Sequence, residues 1–127
     1  MSQRIFKIWG WRERILETDT FVIDRLFLNK DSHSSWHYHN KKNNFFYITK
    51  GLVKIKEERG EVILGPGESI IATPDYKHQF RALEHSEMIE VAWVNQGTLD
   101  ELDIIRLIQG GKVINNKDIT EDAIRKQ

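Results

Sequence analysis

Short runs of alternating or β-branched-rich residues, each cut off by a turn signal, fill most of this chain and restrict it to an all-β fold. The runs are RIFKIW, TFVIDRLFL, NNFFYIT, LVKIKEE, EVILG, ESIIAT, KHQFRAL and EMIEVAWV. Breaks fall at Lys50-Gly51, Arg59-Gly60, Gly65-Pro66-Gly67 and Thr73-Pro74-Asp75. This spacing of short strands is that of a closed barrel or a sandwich, and EERGEV reads as a tight hairpin. The chain has 127 residues, 39% of them hydrophobic, which suffices for one packed core and leaves little room for a second catalytic module. After Val94 the pattern changes: NQGTLDELDIIRLIQGGKV mixes a loop with a short apolar segment compatible with helix or strand. We therefore expect a barrel over residues 1–110 and a tail over 111–127. In that tail Asp118 is placed as an N-cap with Glu121 three residues on and Arg125-Lys126 late, which predicts a short C-terminal helix.

Charge and cysteine content narrow the chemistry. Lys plus Arg and Asp plus Glu each number 19, so no net field draws the protein to nucleic acid or to an anionic membrane, and a small-molecule ligand is the expected partner. The absence of cysteine removes disulfides, thiolate nucleophiles and Cys-ligated zinc together and fits a cytoplasmic protein. No apolar run approaches the roughly 20 residues that span a bilayer, and the amino terminus lacks a signal-peptide pattern. The expectation is a soluble, unprocessed protein. An open sheet of this size leaves strand edges that a second copy can cover, so a homodimer is expected, with RIFKIWGW as the interfacial strand.

Within SSWHYH an extended backbone points His37 and His39 to the same face and Trp36 and Tyr38 to the other. The two imidazoles then stand about 7 Å apart at their Cα atoms, close enough to converge on one ion at roughly 2.1 Å per bond. Later, GPGESIIATPDYKHQF carries His78 onto another strand after a Gly-Pro-Gly turn; in a rolled-up sheet it can face the first pair. Asn44 shares a strand face with Phe46 and Ile48 and is the fourth candidate ligand. By contrast His33 and His85 lie in polar, turn-like stretches and are read as solvated. Trp36, Phe45, Phe46 and Tyr47 are assigned to core and interface rather than to a substrate platform.

The order His37-x-His39, four residues, Asn44, six residues, Gly51, then Gly67 and TPDYKH ending in His78, resembles the two-part signature of the cupin superfamily. That resemblance implies a small antiparallel jelly-roll barrel. Three positions depart from the pattern: Asn44 stands where glutamate is usual, Ala82 where asparagine is usual and Tyr76 where glycine is usual. A narrower likeness, through Trp9-Gly10, Ile89-Glu90-Val91 and Asp103-Ile104-Ile105-Arg106, is to the cupin domain of type II mannose-6-phosphate isomerases. LIQGGKV replaces that family's segment after the arginine.

Three neutral histidines and a neutral Asn44 leave both charges of a divalent ion uncompensated, so such a site favours an anionic oxygen ligand. Imidazole suits Zn, Ni, Mn, Co and Fe alike, and the ion's identity is not written in the ligands. Glu90 lies on the strand face of Met88 and Ala92, opposite Ile89, Val91 and Trp93, which makes it a candidate base with a raised pKa or a replacement metal ligand. Arg106 and Lys77 are the candidate cations for a phosphate. These residues suit an aldose–ketose isomerase acting on a sugar phosphate or a related sugar-modifying activity. A non-catalytic sugar- or small-molecule-binding cupin and a three-His iron oxygenase are the alternatives.

Overall fold

The computed structural model describes residues 3–121. Its strands in chain order are β1 (Arg4–Lys7), β2 (Gly10–Glu17), β3 (Phe21–Leu28), β4 (Ser32–His33), β5 (Trp36–Tyr38), β6 (Lys42–Lys50) and β7 (Val53–Glu57). They continue with β8 (Gly60–Leu64), β9 (Ser69–Ala72), β10 (His78–Ala82), β11 (Ser86–Val94), β12 (Ile105–Ile108), β13 (Gly111–Ile114) and β14 (Lys117–Thr120). Pairing is antiparallel throughout and gives two sheets: β1-β2-β3-β11-β6-β9, and β12-β5-β10-β4-β13-β14 with the β7-β8 hairpin on the other side of β10. The all-β, antiparallel expectation holds and is consistent with a cupin barrel, although the hydrogen bonds form two sheets and not one closed ring. No helix of the described residues is long and apolar enough to cross a membrane.

Period-two burial builds the space between the sheets. On β3 the residues Val22, Asp24, Leu26 and Leu28 are buried and their neighbours only half so. On β6, Asn44, Phe46 and Ile48 turn inward as their alternation requires. The apolar part of the core comprises Leu26, Leu28, Phe46, Ile48, Val53, Ile55, Leu64, Phe80, Ala82 and Met88. Phe80 meets Trp9 edge-on with ring centroids 5.2 Å apart, and Phe46 with centroids 6.3 Å apart. Truncating a phenylalanine so placed costs about 3–5 kcal/mol. The glycine seven positions after Asn44 has a physical reason: Gly51 turns out of β6 at φ +87°, and a Cβ there would lie 2.2 Å from Ser86 Oγ.

The carboxy-terminal segment corrects the sequence reading. Asp118, expected as a helix N-cap, lies in β14, which pairs with β13 from Gly111↔Thr120 to Ile114↔Lys117. Asn115 and Asn116 both adopt positive φ, 52° and 64°, and such an Asn-Asn pair makes the two-residue turn that matches strand twist. That turn and the docking of β13 on β4 prevail over a local capping pattern. No C-terminal helix is formed by residues 111–120, and the remainder of that expectation, residues 122–127, lies outside the described residues. The segment left open between helix and strand contains β12, which pairs with β5.

Candidate metal centre

Strand register brings the histidines together. His78 begins β10 directly opposite His37 on β5, while His39 follows β5 on the same face. Ring centroids are 4.4 Å apart for His37–His78, 5.0 Å for His37–His39 and 5.4 Å for His39–His78. One nitrogen from each lies within 4.8 Å of the others, and all three residues are buried. Among the described residues this is the one such group of His, Asp or Glu.

Each ring is held from behind by a backbone carbonyl. His37 Nδ1 donates to Ser35 O at 2.8 Å, His39 Nδ1 to Asp103 O at 2.6 Å and His78 Nδ1 to Tyr76 O at 3.0 Å. A carbonyl only accepts, so the proton sits on Nδ1 and each Nε2 keeps its lone pair. His78 Nε2 is buried with no partner. Burial, with the neighbouring His78 and His39, lowers the His37 pKa from 6.5 to about 2. Burial and the Lys42 ammonium lower that of His39 to about 4, against the opposing pull of the Asp103 carbonyl. His78 is lowered as well, chiefly by burial. Three neutral imidazoles with preset tautomers and an orphaned buried lone pair are a donor set that fits a divalent cation.

Asn44 sits one strand away. It is fully buried on β6, and its Nδ2 donates to Glu90 Oε2 at 2.7 Å while its Oδ1 has no partner. Glu90 on β11 faces Phe46 on one side and Asp24 on the other in the register. Burial raises its pKa and Asp24 adds to that, whereas Lys42, the Asn44 amide and Arg12 oppose it. The Glu90 carboxylate is outside the three-nitrogen group but lines the same cavity, about 380 Å³, as His37, His39, Lys42, Arg12 and Arg106. Arg106 stands opposite His37 in the β12–β5 register, is exposed, and lines the same cavity. Lys77 is elsewhere, 3.9 Å from Glu58.

Two further residues shape the site. Asp103 accepts hydrogen bonds from the backbone N–H groups of Asn40 at 2.8 Å, Lys41 at 2.9 Å and Lys42 at 3.1 Å, besides holding His39 through its carbonyl. Burial pushes its carboxyl up, and those three donors outweigh it, so the pKa is lowered overall. No local signal announces a contact across more than sixty residues of chain. Lys42 was legible in principle, since it shares the β6 alternation with Asn44 and Phe46. His33, read as solvated, is instead 2% exposed, with Nε2 2.8 Å from Asp118 Oδ1 and Nδ1 2.9 Å from Ser34 O. The β13–β14 hairpin covers it. His85 is exposed, and Phe46 is core, as expected, while Tyr47 is 40% exposed.

No curated protein matches the chain in sequence. Among solved structures it is similar to KdgF from Halomonas sp., with a TM-score of 0.67, 18% identity and coverage of 76% of this chain and 89% of that one. It is also similar to the Streptomyces protein PAC13, described as a nucleoside dehydratase, with a TM-score of 0.70, 14% identity and 85% of both chains covered. Capsular polysaccharide assembling protein CapF from Staphylococcus aureus gives 0.69 at 18% identity over 85% of this chain but 34% of that one. At such identities the likeness is one of fold. The cupin domain family matches residues 26–98, a span of more than half the chain that includes the three histidines, Asn44 and Glu90, and the protein belongs to the cupin family.

Proposed function

We propose that this protein is a metal-dependent, sugar-modifying cupin, and more specifically an aldose–ketose isomerase of the type II mannose-6-phosphate isomerase kind. The observation that carries the reading is the joint lining of one cavity by His37, His39 and a carboxylate of raised pKa, Glu90. Cupins commonly bind divalent metals. His37, His39 and His78 would hold the ion through Nε2, and Zn, Ni, Mn, Co and Fe are all compatible with imidazole. When bound, it supplies a Lewis acid for adjacent sugar oxygens.

The protein's own groups account for the proton and for placement. Glu90 takes the proton from C2 of the aldose and returns it at C1 while the hydroxyl proton on O2 passes to O1, and its burial keeps the carboxylate basic enough for the carbon-to-carbon exchange. Asn44 orients Glu90 through its amide. Arg106, an exposed residue of the cavity lining, binds the phosphate. The relatives point the same way only in outline: PAC13 is a nucleoside dehydratase with structures containing uridine, and CapF assembles a capsular polysaccharide.

The decisive assay follows conversion of mannose 6-phosphate to fructose 6-phosphate by the metal-loaded protein. Turnover lost in both His78→Ala and Glu90→Gln supports the isomerase. Saturable sugar binding without turnover on any hexose or pentose phosphate identifies a binding module, and iron-dependent oxygen consumption identifies an oxygenase. We further read the protein as a cytoplasmic homodimer without nucleic-acid or membrane partners. The dimer reading rests on β1, an edge strand whose Phe6 is 77% and Ile5 43% exposed.

A further inference from the structure

Lys42 is the site residue without an assigned task. Its position on β6 puts it on the interior face, two residues before Asn44, and it lines the cavity together with His37, His39, Glu90 and Arg106. The backbone of Lys42 is pinned by Asp103, the residue that also holds His39, so the ammonium and the triad are tied to one support. Its field reaches all three imidazoles, where it opposes protonation, and Glu90, where it favours the ionised form. Among the described residues neither Lys42 nor Arg106 forms an ion pair within 4.0 Å. Arg12 does: it lies 3.7 Å from Asp24.

A divalent cation at the triad would therefore meet neutral ligands, a neutral Asn44 and the nearby positive charges of Lys42 and Arg106. Two carboxylates line the cavity, Glu121 and Glu90; Glu90, which feels the Lys42 charge, lies outside the three-nitrogen group. Like charges collected around one cavity repel, and an anion that enters between them relieves the repulsion for every member. A flexible ammonium and a guanidinium suit the oxygens of a carboxylate or a phosphate.

We infer that Lys42 and Arg106 hold the anionic group of the substrate, a carboxylate or phosphate, and that this anion and a divalent cation at His37, His39 and His78 bind cooperatively. This rests on the metal site of the proposed function and adds to it a substrate class and an order of magnitude for the coupling. Binding at each site raises affinity at the other by the same factor, since linkage is reciprocal, and typical couplings are about 5–150-fold.

Calorimetric titration of Mn²⁺ into the full-length protein at neutral pH tests it, in buffer alone and with saturating mannose 6-phosphate, glucuronate or mannose. The expected result is a Kd for Mn²⁺ at least about tenfold lower with one or both acids and unchanged with neutral mannose. The phosphate and glucuronate arms separate the two anions. Lys42→Met is expected to bind Mn²⁺ more tightly than the native protein without anion, and to retain less than about threefold coupling. If circular dichroism shows that variant unfolded, Arg106→Gln on the exposed β12 replaces it, with loss of at least about threefold of the coupling. Mn²⁺ uptake indifferent to every anion, equal response to mannose, or undiminished coupling in the folded variants overturns the inference and leaves the metal reading intact. A native protein that takes up no metal overturns both.

Discussion

Asp103→Ala is the substitution that most directly separates a supported site from three histidines that merely lie together. The carboxylate receives three backbone N–H groups, from Asn40, Lys41 and Lys42, and these span the turn between His39 and β6. A hydrogen bond to a charged group contributes about 1.5–3 kcal/mol when protected, but Asp103 is only half-buried, and water replaces much of what is lost. We expect a net cost of about 1–2 kcal/mol, or a Tm lower by about 3–8 °C for a domain of this size. The backbone carbonyl that holds His39 Nδ1 survives the substitution, but the loop carrying it loosens. Metal affinity should accordingly fall about tenfold, at the low end for loss of a group that orients a ligand.

Acidification adds a second readout. Because the folded Asp103 pKa is lowered from 3.8, its contribution is fully present above that value and disappears as pH falls through the lower folded one. The gap in Tm between the native protein and Asp103→Ala should close below about pH 4. Asp103→Asn, which keeps one acceptor oxygen and no charge, should fall between them. Differential scanning calorimetry and metal titration read both effects. Equal Tm and equal metal affinity at pH 7, or a gap undiminished in acid, would refute the reasoning.

Asn44→Glu should tighten metal binding by at least tenfold, about 1.4 kcal/mol, by adding a carboxylate near an uncompensated cation. It should also lower the Tm of the metal-free protein, since the new carboxylate faces Glu90 where the Asn44 amide now donates at 2.7 Å; equal affinities in the two proteins mean that position 44 lies outside the ion's reach or that Glu90 already supplies the charge, and adding Glu90→Gln separates the two. Sedimentation velocity of the native protein at micromolar concentration should give a dimer that Phe6→Asp shifts toward monomer, and a native monomer would discard β1 as the interface.

The all-β character was legible because it depends on near-neighbour physics. Alternation selects which side chains share a face, and glycine or proline ends each strand. The same alternation paired His37 with His39, and Asn44 with Phe46 and Ile48, before any fold was known. The EERGEV hairpin closes as Glu57↔Gly60 for that reason. Local rules misled where two local patterns competed. Asp118 and Glu121 satisfy a capping pattern, yet Asn115-Asn116 closes a hairpin, and the choice between them came from the edge of β4 that β13 covers. His33 was misread with it, because that hairpin covers it and gives it Asp118.

What tertiary structure alone decided was which distant residues meet. His78 stands opposite His37 because β10 pairs with β5 in one register, and a slip of one residue would turn it to the other face. Asp103 reaches the backbone of residues 40–42 from the far side of the sequence. Asn44 and Glu90 pair because β6 lies beside β11. Periodicity determines a side chain's direction, which is a property of its own strand; convergence on one point depends on strand order and register, set by the burial of the whole core at once.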